Sequence, residues 1–277
     1  MSEYLINGST LTAIGDAIRE KTGSTDTLTP SGMATAIAGI ETGGGEGYGT
    51  SLKDVIERTA VNPTLPNDLE KIGNFAFCGC KNLALTSLPS SVKYLGENSF
   101  DGCTNLALTS LPPDITYLPT TVFRYCTNLA LTYLPSGITG IGTYAFTGCT
   151  NLALTSLPSG ITSITNYAFT GCTNLALTSL PSGITGIGMN AFSDCSKLAI
   201  TSIPSSLVYS IGNNAFKNCT SITSLTFEGT PSSIASTAFS GCTNLTTINV
   251  PWAEGEVASA PWGATNATIN YNYVATE

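Results

Sequence analysis

One phenylalanine recurs at a nearly constant interval through most of this 277-residue chain. From Phe77 to Phe239 the interval is 23 residues in every unit except the one that ends at Phe216, where it is 24. A cysteine follows each of these phenylalanines three positions later, from Cys80 to Cys242. The unit reads NLALTSLPSGITSITNYAFTGCT, almost unchanged in successive copies. A unit of this size cannot bury its own apolar side chains, so the repeat predicts coils that stack into a solenoid.

Each unit contains two apolar segments that predict its local structure. The three leucines within residues 83–88 predict a strand that ends at Pro89, because proline cannot donate the next hydrogen bond of a sheet. Ile138 and Ile141 then lead into Tyr-Ala-Phe, where we expect a short helical turn that directs the phenylalanine inward. Together these segments predict an α/β solenoid, a leucine-rich-repeat stack of about eight 23-residue coils.

The repeat, over about residues 60–250, resembles the BspA-type leucine-rich repeats of bacterial surface proteins, whose unit carries the same Ala-Phe-x-x-Cys core. The resemblance implies a binding protein of a bacterial surface. The earlier units depart from the family spacing, because their leucines stand at the third, fifth and eighth positions after the cysteine. We therefore expect a bulge or an altered strand register in those units. The last two units keep the family spacing: Ile222, Leu225 and Phe227, then Leu245, Ile248 and Val250.

The nine cysteines do not predict a metal site or a disulfide framework. Tetrahedral zinc needs four ligands at one point, whereas one cysteine per coil forms a line. Cys78 and Cys80 are the single close pair in the sequence, and an odd total argues against systematic pairing. We expect the cysteine row to be buried as small apolar side chains, with Cys78 more exposed than the others.

The composition argues against an enzyme. The chain has no histidine, and residues 125–193 contain no charged side chain, so the usual acids, bases and nucleophiles are missing. Gly43–Gly49 does not follow a strand and open a helix, as a phosphate loop does, and no cofactor is predicted. Ten basic residues and a net charge of -8 do not suit nucleic acid. No apolar run reaches the roughly 20 residues of a membrane span, so no membrane insertion is expected.

The N-terminal part does not follow the repeat. Residues 1–42 are predicted to hold two short helices, residues 43–49 form a glycine-rich linker, and residues 50–277 form the solenoid with its cap. Thr10 caps the first helix and Thr29-Pro30 begins the second. Such a segment is interpreted as an attachment or assembly module, with possible homo-oligomers, while a loosely docked cap stays open as the alternative. The apolar stripes proposed to make the contact are Leu11, Ile14 and Ile18, and Met33, Ile37 and Ile40.

Two terminal segments resemble phage tail or virion proteins of Gram-positive hosts. They are LTAIGDAIREKTGSTDTLTPSGMATAI near the start and PWAEGEVASAPWGATNATINYNY near the end. The resemblance implies a particle-bound protein whose repeats point outward. From about residue 251, Trp252, Trp262, Tyr271 and Tyr273 are expected to cover the last coil, which would otherwise expose its core.

The candidate ligand surface is neutral and contains several tyrosines. Rows of Thr, Ser, Asn and Gly suit a carbohydrate or a protein recognised by shape rather than by charge. The alternative is that these rows serve solubility alone. A binding site is expected where the repeat is broken, at 117–125 and at 207–210. The candidate residues are Tyr117, Arg124, Tyr125, Tyr133, Tyr144, Tyr167 and Tyr209.

These observations predict a non-enzymatic protein, and three interpretations of its role stay open. The first is a tail-fibre-like or receptor-binding component of a phage virion, bound to other virion proteins through the N-terminal helices and to protein or carbohydrate on a host cell. The second is a bacterial cell-surface or extracellular adhesin of the BspA type. The third is a structural spacer without a specific ligand. The start Met1–Gly8 has no basic segment followed by an apolar one, which favours the virion over the adhesin.

Overall fold

The computed structural model describes Pro63 and residues 65–274. They form a solenoid of about nine turns whose neighbouring turns pair through short parallel strands. The solenoid was predicted correctly, with one turn more than expected because the C-terminal residues add a further coil. Within this described part there is no helix, so the helical turn predicted before each phenylalanine is wrong: a run of tight turns stands there instead. The predicted helices of residues 1–42 and the linker 43–49 lie outside the described residues.

Two rows of parallel strands run along the solenoid. The strands of the first row have two residues each, one exposed or half-buried and one buried. They are β1 (Lys71–Ile72), β2 (Tyr94–Leu95), β3 (Tyr117–Leu118), β4 (Gly140–Ile141), β5 (Ser163–Ile164), β6 (Gly186–Ile187), β8 (Ser210–Ile211) and β10 (Ser233–Ile234). The second row, in the C-terminal half, holds β7 (Ser202–Ile203), β9 (Ser224–Phe227), β11 (Thr247–Asn249) and β12 (Thr268–Asn270).

The leucine segment forms a regular strand in the late coils and not in the early ones. In β9 the buried Leu225 and Phe227 are two residues apart, which matches the alternation of an extended strand. In an early coil the buried Leu131 and Leu134 are three residues apart, so the chain must bend between them to keep both inside. The strand predicted for residues 83–88 is therefore wrong, and instead of the bulge or altered register expected in the early units the leucine segment there forms no strand.

Two continuous rows run through the core beside its leucines and isoleucines, one of phenylalanine rings and one of thiols. Eight rings from Phe77 to Phe239 stack face to face, with centroids 5.2–5.7 Å apart. Each thiol from Cys103 to Cys242 donates a hydrogen bond to a phenylalanine carbonyl of the preceding coil, as Cys149 Sγ does to Phe123 O at 2.9 Å. The cysteine row is buried, as predicted, and Cys78 is half-buried.

The C-terminal coil is closed by two tryptophans, as expected for a cap. Trp252 and Trp262 are buried, and both rings pack against Phe227 with centroids 5.2 and 6.3 Å away. Trp262 Nε1 donates to Ala258 O at 2.7 Å, which satisfies its polar atom inside the cap. The Phe239 N–H donates to Trp262 O at 2.9 Å, so the cap also continues the backbone pairing between coils.

Candidate ligand surface

Each coil turns at two corners, two residues before and two residues after its phenylalanine, and most of these corners are left-handed. Tyr144 and Tyr167 occupy the first corner with φ of 60° and 58°, and Tyr125 occupies the second with φ of 58°. Asn or Gly stands at the same corners in several other coils, as Asn190 and Gly102 do. The left-handed region costs a residue with a β-carbon about 1 kcal/mol, and less for Asn. Tyrosine is therefore an unfavourable choice for the backbone at these corners.

Stacking of the coils holds this backbone in place. In the coil of Phe146, the N–H groups of Tyr144, Phe146 and Gly148 donate to carbonyls of the next coil at 3.2, 2.9 and 2.7 Å. Equivalent bonds recur along the solenoid. Because three hydrogen bonds per coil fix each turn, the tyrosine side chains project from rigid positions.

Three tyrosines lie on or against the segment 140–148 of one coil. A β-carbon on Gly140 would lie 2.9 Å from two ring carbons of Tyr117, and one on Gly148 would lie 2.6 Å from a ring carbon of Tyr125. Both rings therefore fill the space that a side chain would take on the next coil. Tyr144 stands midway between the two glycines. Two rings from the preceding coil and one from the coil itself thus share a stretch of nine residues.

A fourth ring extends this group toward the next coil. The Tyr167 ring stacks on that of Tyr144, with centroids 4.6 Å apart and planes 13° from parallel. Its hydroxyl donates to Met189 Sδ at 3.3 Å. We call Tyr117, Tyr125, Tyr144 and Tyr167 the tyrosine patch. It spans three successive coils, in a part of the chain that has no charged side chain from residue 125 to residue 193.

The cation beside the patch is neutralised by an ion pair within the protein. Arg124 Nε and Nη2 donate to the two carboxylate oxygens of Asp101 at 2.9 and 2.6 Å. The guanidinium carbon also lies 5.4 Å from the ring centroid of Tyr125. Hydrogen bonding to Asp101 raises the pKa of Arg124 above its ordinary value. Arg124 therefore supports the patch and does not offer a free charge to a ligand.

We expect Arg124→Ala to lower the free energy of unfolding by about 2 kcal/mol, because it leaves the carboxylate of Asp101, whose side chain is 12% exposed, without its two donors. Urea denaturation of the two proteins measures the difference. Lys93→Ala is the matched control: it removes the cation of another pair between neighbouring coils, Lys93–Glu70 at 2.7 Å, which is exposed. Equal losses in the two variants would contradict a structural role for the Asp101 pair.

The remaining candidates lie apart from the patch. Tyr133 is exposed but lies eight residues further along its coil than Tyr125, beyond the buried Leu129 and Leu131. Tyr209 lies beside Gly186, whose β-carbon would be 3.6 Å from that of Tyr209, and so stands next to β6, just before β8 begins at Ser210. The seven candidates therefore do not form one site. Leu11, Ile14, Ile18, Met33, Ile37 and Ile40 lie outside the described residues.

Sequence reasoning missed two exposed side chains near the patch. Tyr94 begins β2 one period before Tyr117 begins β3, and it is 60% exposed. The equal strand position, 23 residues earlier, was the signal for it. Met189, in contact with Tyr167, replaces a residue that is polar in the neighbouring coils. Tyr94 extends the row of Tyr117, and Met189 extends the pair of Tyr144 and Tyr167.

Pro63 and residues 65–274 contain no group of three His, Cys, Asp or Glu side chains that could hold a metal ion. Over the same range, no helix has the length and apolarity needed to cross a bilayer.

The family model that matches this chain describes the BspA type leucine rich repeat region, with six copies over residues 59–176 and 139–259. The chain belongs to this family. Leucine-rich-repeat solenoids are typically non-enzymatic binding proteins. A comparison with the sequences of curated proteins finds no match to this BspA-type chain.

Solved structures of leucine-rich-repeat proteins resemble this BspA-type solenoid. A protein from Bacteroides ovatus is 22% identical, with 76% of this chain and 68% of that one covered and a TM-score of 0.49. A leucine rich cell surface protein from Faecalibacterium prausnitzii is 24% identical, with 77% and 79% covered and a TM-score of 0.45. A leucine-rich-repeat protein of T. pallidum is 28% identical, with 50% and 78% covered and a TM-score of 0.38.

Proposed function

We propose that this protein is a non-enzymatic binding protein that presents the tyrosine patch to an uncharged ligand on a cell surface. The observation that carries the proposal is that the Tyr117 and Tyr125 rings lie against residues 140–148, the segment that also carries Tyr144. Large aromatic side chains that protrude from a rigid, otherwise polar surface are typical of binding hot spots. Tyr117 and Tyr125 are 54% and 52% exposed, so burial in the fold does not account for them.

The repeat itself supports a dedicated role for these rings. At the strand position of Tyr117 the following coils have Gly140, Ser163 and Gly186, and at the corner of Tyr125 they have Gly148 and Gly171. Small residues therefore suffice for the coil at both positions. The tyrosines add contact surface where the fold does not require it, which favours binding over solubility alone.

The direct test is binding of the labelled full-length protein to intact Gram-positive cells. We expect saturable binding that persists in 0.5 M salt, roughly three times the physiological ionic strength. Salt weakens the attraction between charged groups, and binding by an uncharged patch does not depend on such attraction. Tyr117→Ser, which gives this strand position the residue type that Ser163 has two coils later, should weaken binding about tenfold. Tyr133→Ser is the control, since it removes an exposed tyrosine outside the patch. Binding that high salt abolishes, or that Tyr117→Ser leaves unchanged, would oppose the proposal, and no binding at all would favour the spacer.

Two placements of such a binding protein have separate support. The resemblance of residues 11–37 and 251–273 to phage proteins supports a tail-fibre-like, receptor-binding virion component attached through its N-terminal helices. Membership of the BspA-type family supports a cell-surface adhesin. An antibody against the full chain distinguishes the two, because it would label purified phage particles in the first case and the envelope of the producing cell in the second.

A further inference from the structure

We propose that the ligand of the tyrosine patch is a neutral polysaccharide whose sugar rings pack against the tyrosine faces. This inference rests on the proposed binding function and specifies its ligand class. It follows from the orientation of the rings, from the hydroxyl groups around them, and from the charges beside them.

The orientation of two rings leaves a flat face free. The Tyr117 ring covers Gly140 and the Tyr125 ring covers Gly148, so one face of each ring lies on glycine backbone. Because both side chains are about half exposed, the opposite face is open to solvent. A flat, rigid aromatic face is suited to the C–H face of a pyranose, which is apolar and of similar size.

Hydroxyl groups line the patch at the spacing of the coils. Thr116, Thr139 and Thr162 are exposed, and each stands one residue before the strand that begins with Tyr117, Gly140 or Ser163. The Thr139 hydroxyl donates to Thr116 O at 3.3 Å, so its oxygen remains able to accept a hydrogen bond. Parallel strands lie about 4.8 Å apart, close to the length of one sugar unit in an extended chain. Each coil therefore offers one hydroxyl per sugar unit.

The charges beside the patch favour a neutral ligand. Residues 125–193 contain no charged side chain. The guanidinium of Arg124 is bound to the carboxylate of Asp101, so it offers no free charge beside Tyr125. A ligand made of C–H faces and hydroxyls matches what this surface offers.

Backbone strain indicates that the fold does not require these tyrosines. Tyr125 and Tyr144 hold left-handed corners at which Gly102 and Asn190 serve other coils. The substitutions Tyr125→Gly and Tyr144→Asn introduce the residue types found at the equivalent corners of other coils. They should therefore leave the midpoint temperature of thermal unfolding of the full-length protein nearly unchanged. The same two substitutions should weaken ligand binding at least tenfold, because they remove two of the four rings of the tyrosine patch. Tyr133→Ser, again the control, should change neither quantity.

The test uses cells whose surface polymers have been destroyed selectively. Periodate cleaves the vicinal diols of sugars, and a protease removes surface proteins. We expect periodate to abolish binding of the full-length protein to Gram-positive cells, and protease treatment to leave it intact. Loss of binding after protease but not after periodate would overturn the polysaccharide ligand and leave the binding function standing. If untreated cells bind no protein, both proposals fall.

A second assay distinguishes a neutral polysaccharide from a charged one. Native gels that contain a soluble neutral β-glucan or α-mannan, or alginate as a charged polymer, report retardation of the migrating protein. We expect a neutral polymer to retard the wild type, and to retard the double variant Tyr125→Gly/Tyr144→Asn at least tenfold less. Retardation by alginate alone, or equal retardation of wild type and variant, would contradict the proposal.

Discussion

The free energy of unfolding should fall steeply once the pH rises above about 8.5, the ordinary pKa of a thiol in an unfolded chain. Burial raises the pKa of seven cysteines in the folded protein, to about 11 for Cys242 and further for the more deeply buried ones. A group with a raised pKa in the folded state stabilises the fold fully below its unfolded pKa. That stability is lost as pH rises toward the folded pKa, because the unfolded chain alone releases the proton.

The expected loss is comparable to the whole stability of an ordinary domain. Each thiol contributes about 2 kcal/mol of destabilisation at pH 10 relative to pH 7, so seven contribute on the order of 10 kcal/mol. Typical domains have only about 5–15 kcal/mol of stability. Urea denaturation under reducing conditions, at intervals from pH 7 to pH 10, measures the loss.

A double variant isolates the thiols from other groups that titrate at high pH. Cys149→Ala/Cys172→Ala removes two buried thiols that donate to Phe123 O and Phe146 O at 2.9 and 3.0 Å. It should be less stable than the wild type at pH 7 and should gain about 4 kcal/mol relative to it by pH 10. The control Thr155→Ala/Thr178→Ala changes two exposed residues of the same coils. A stability difference for the cysteine variant that stays constant with pH would show that the thiols ionise in the folded protein.

The repeat allowed the core to be predicted, because the same residues must meet at every coil interface. Because the phenylalanine and the cysteine recur at one fixed interval, each meets its own equivalent in the next coil. Both rows are buried from end to end. The position of the strands was harder to predict. Leu129 and Leu131 alternate as in a strand, but the further step of three to Leu134 breaks the alternation. The four-residue strand β9 forms where the spacing is two, from Leu225 to Phe227, whereas the step of three from Ile200 to Ile203 gives only the two-residue β7.

The tyrosine patch was predicted in part, since Tyr117, Tyr125, Tyr144 and Tyr167 were all candidates. The direction in which each ring lies was not predicted. The signal for it was available one period later, where Gly140 follows Tyr117 and Gly148 follows Tyr125 along their rows. A glycine beside a tyrosine in the next coil leaves room for the ring to lie flat. The left-handed corners, in contrast, depend on the coil path and carry no fixed residue type.

Replacing Phe169 with alanine should be among the most damaging single substitutions in the solenoid. Its ring is fully buried and stacks on Phe146 and Phe192, with centroids 5.4 Å away on both sides. Removal of a buried phenylalanine ring costs about 3–5 kcal/mol, through lost burial and through the cavity that remains. Phe169→Leu should cost less, about 1–2 kcal/mol, because it refills most of that volume. Urea denaturation at pH 7 measures both.

The size of this effect depends on the column of rings being continuous. In a solenoid each coil is stabilised by its two neighbours, so a cavity at Phe169 weakens two interfaces at once. Phe77, at the end of the column, has one ring neighbour among the described residues and should lose less stability on replacement by alanine. Tyr133→Ala, at an exposed position, should stay within about 0.5 kcal/mol of the wild type. If Phe169→Ala costs no more than Phe77→Ala, the coils are stabilised independently and the ring column does not couple them.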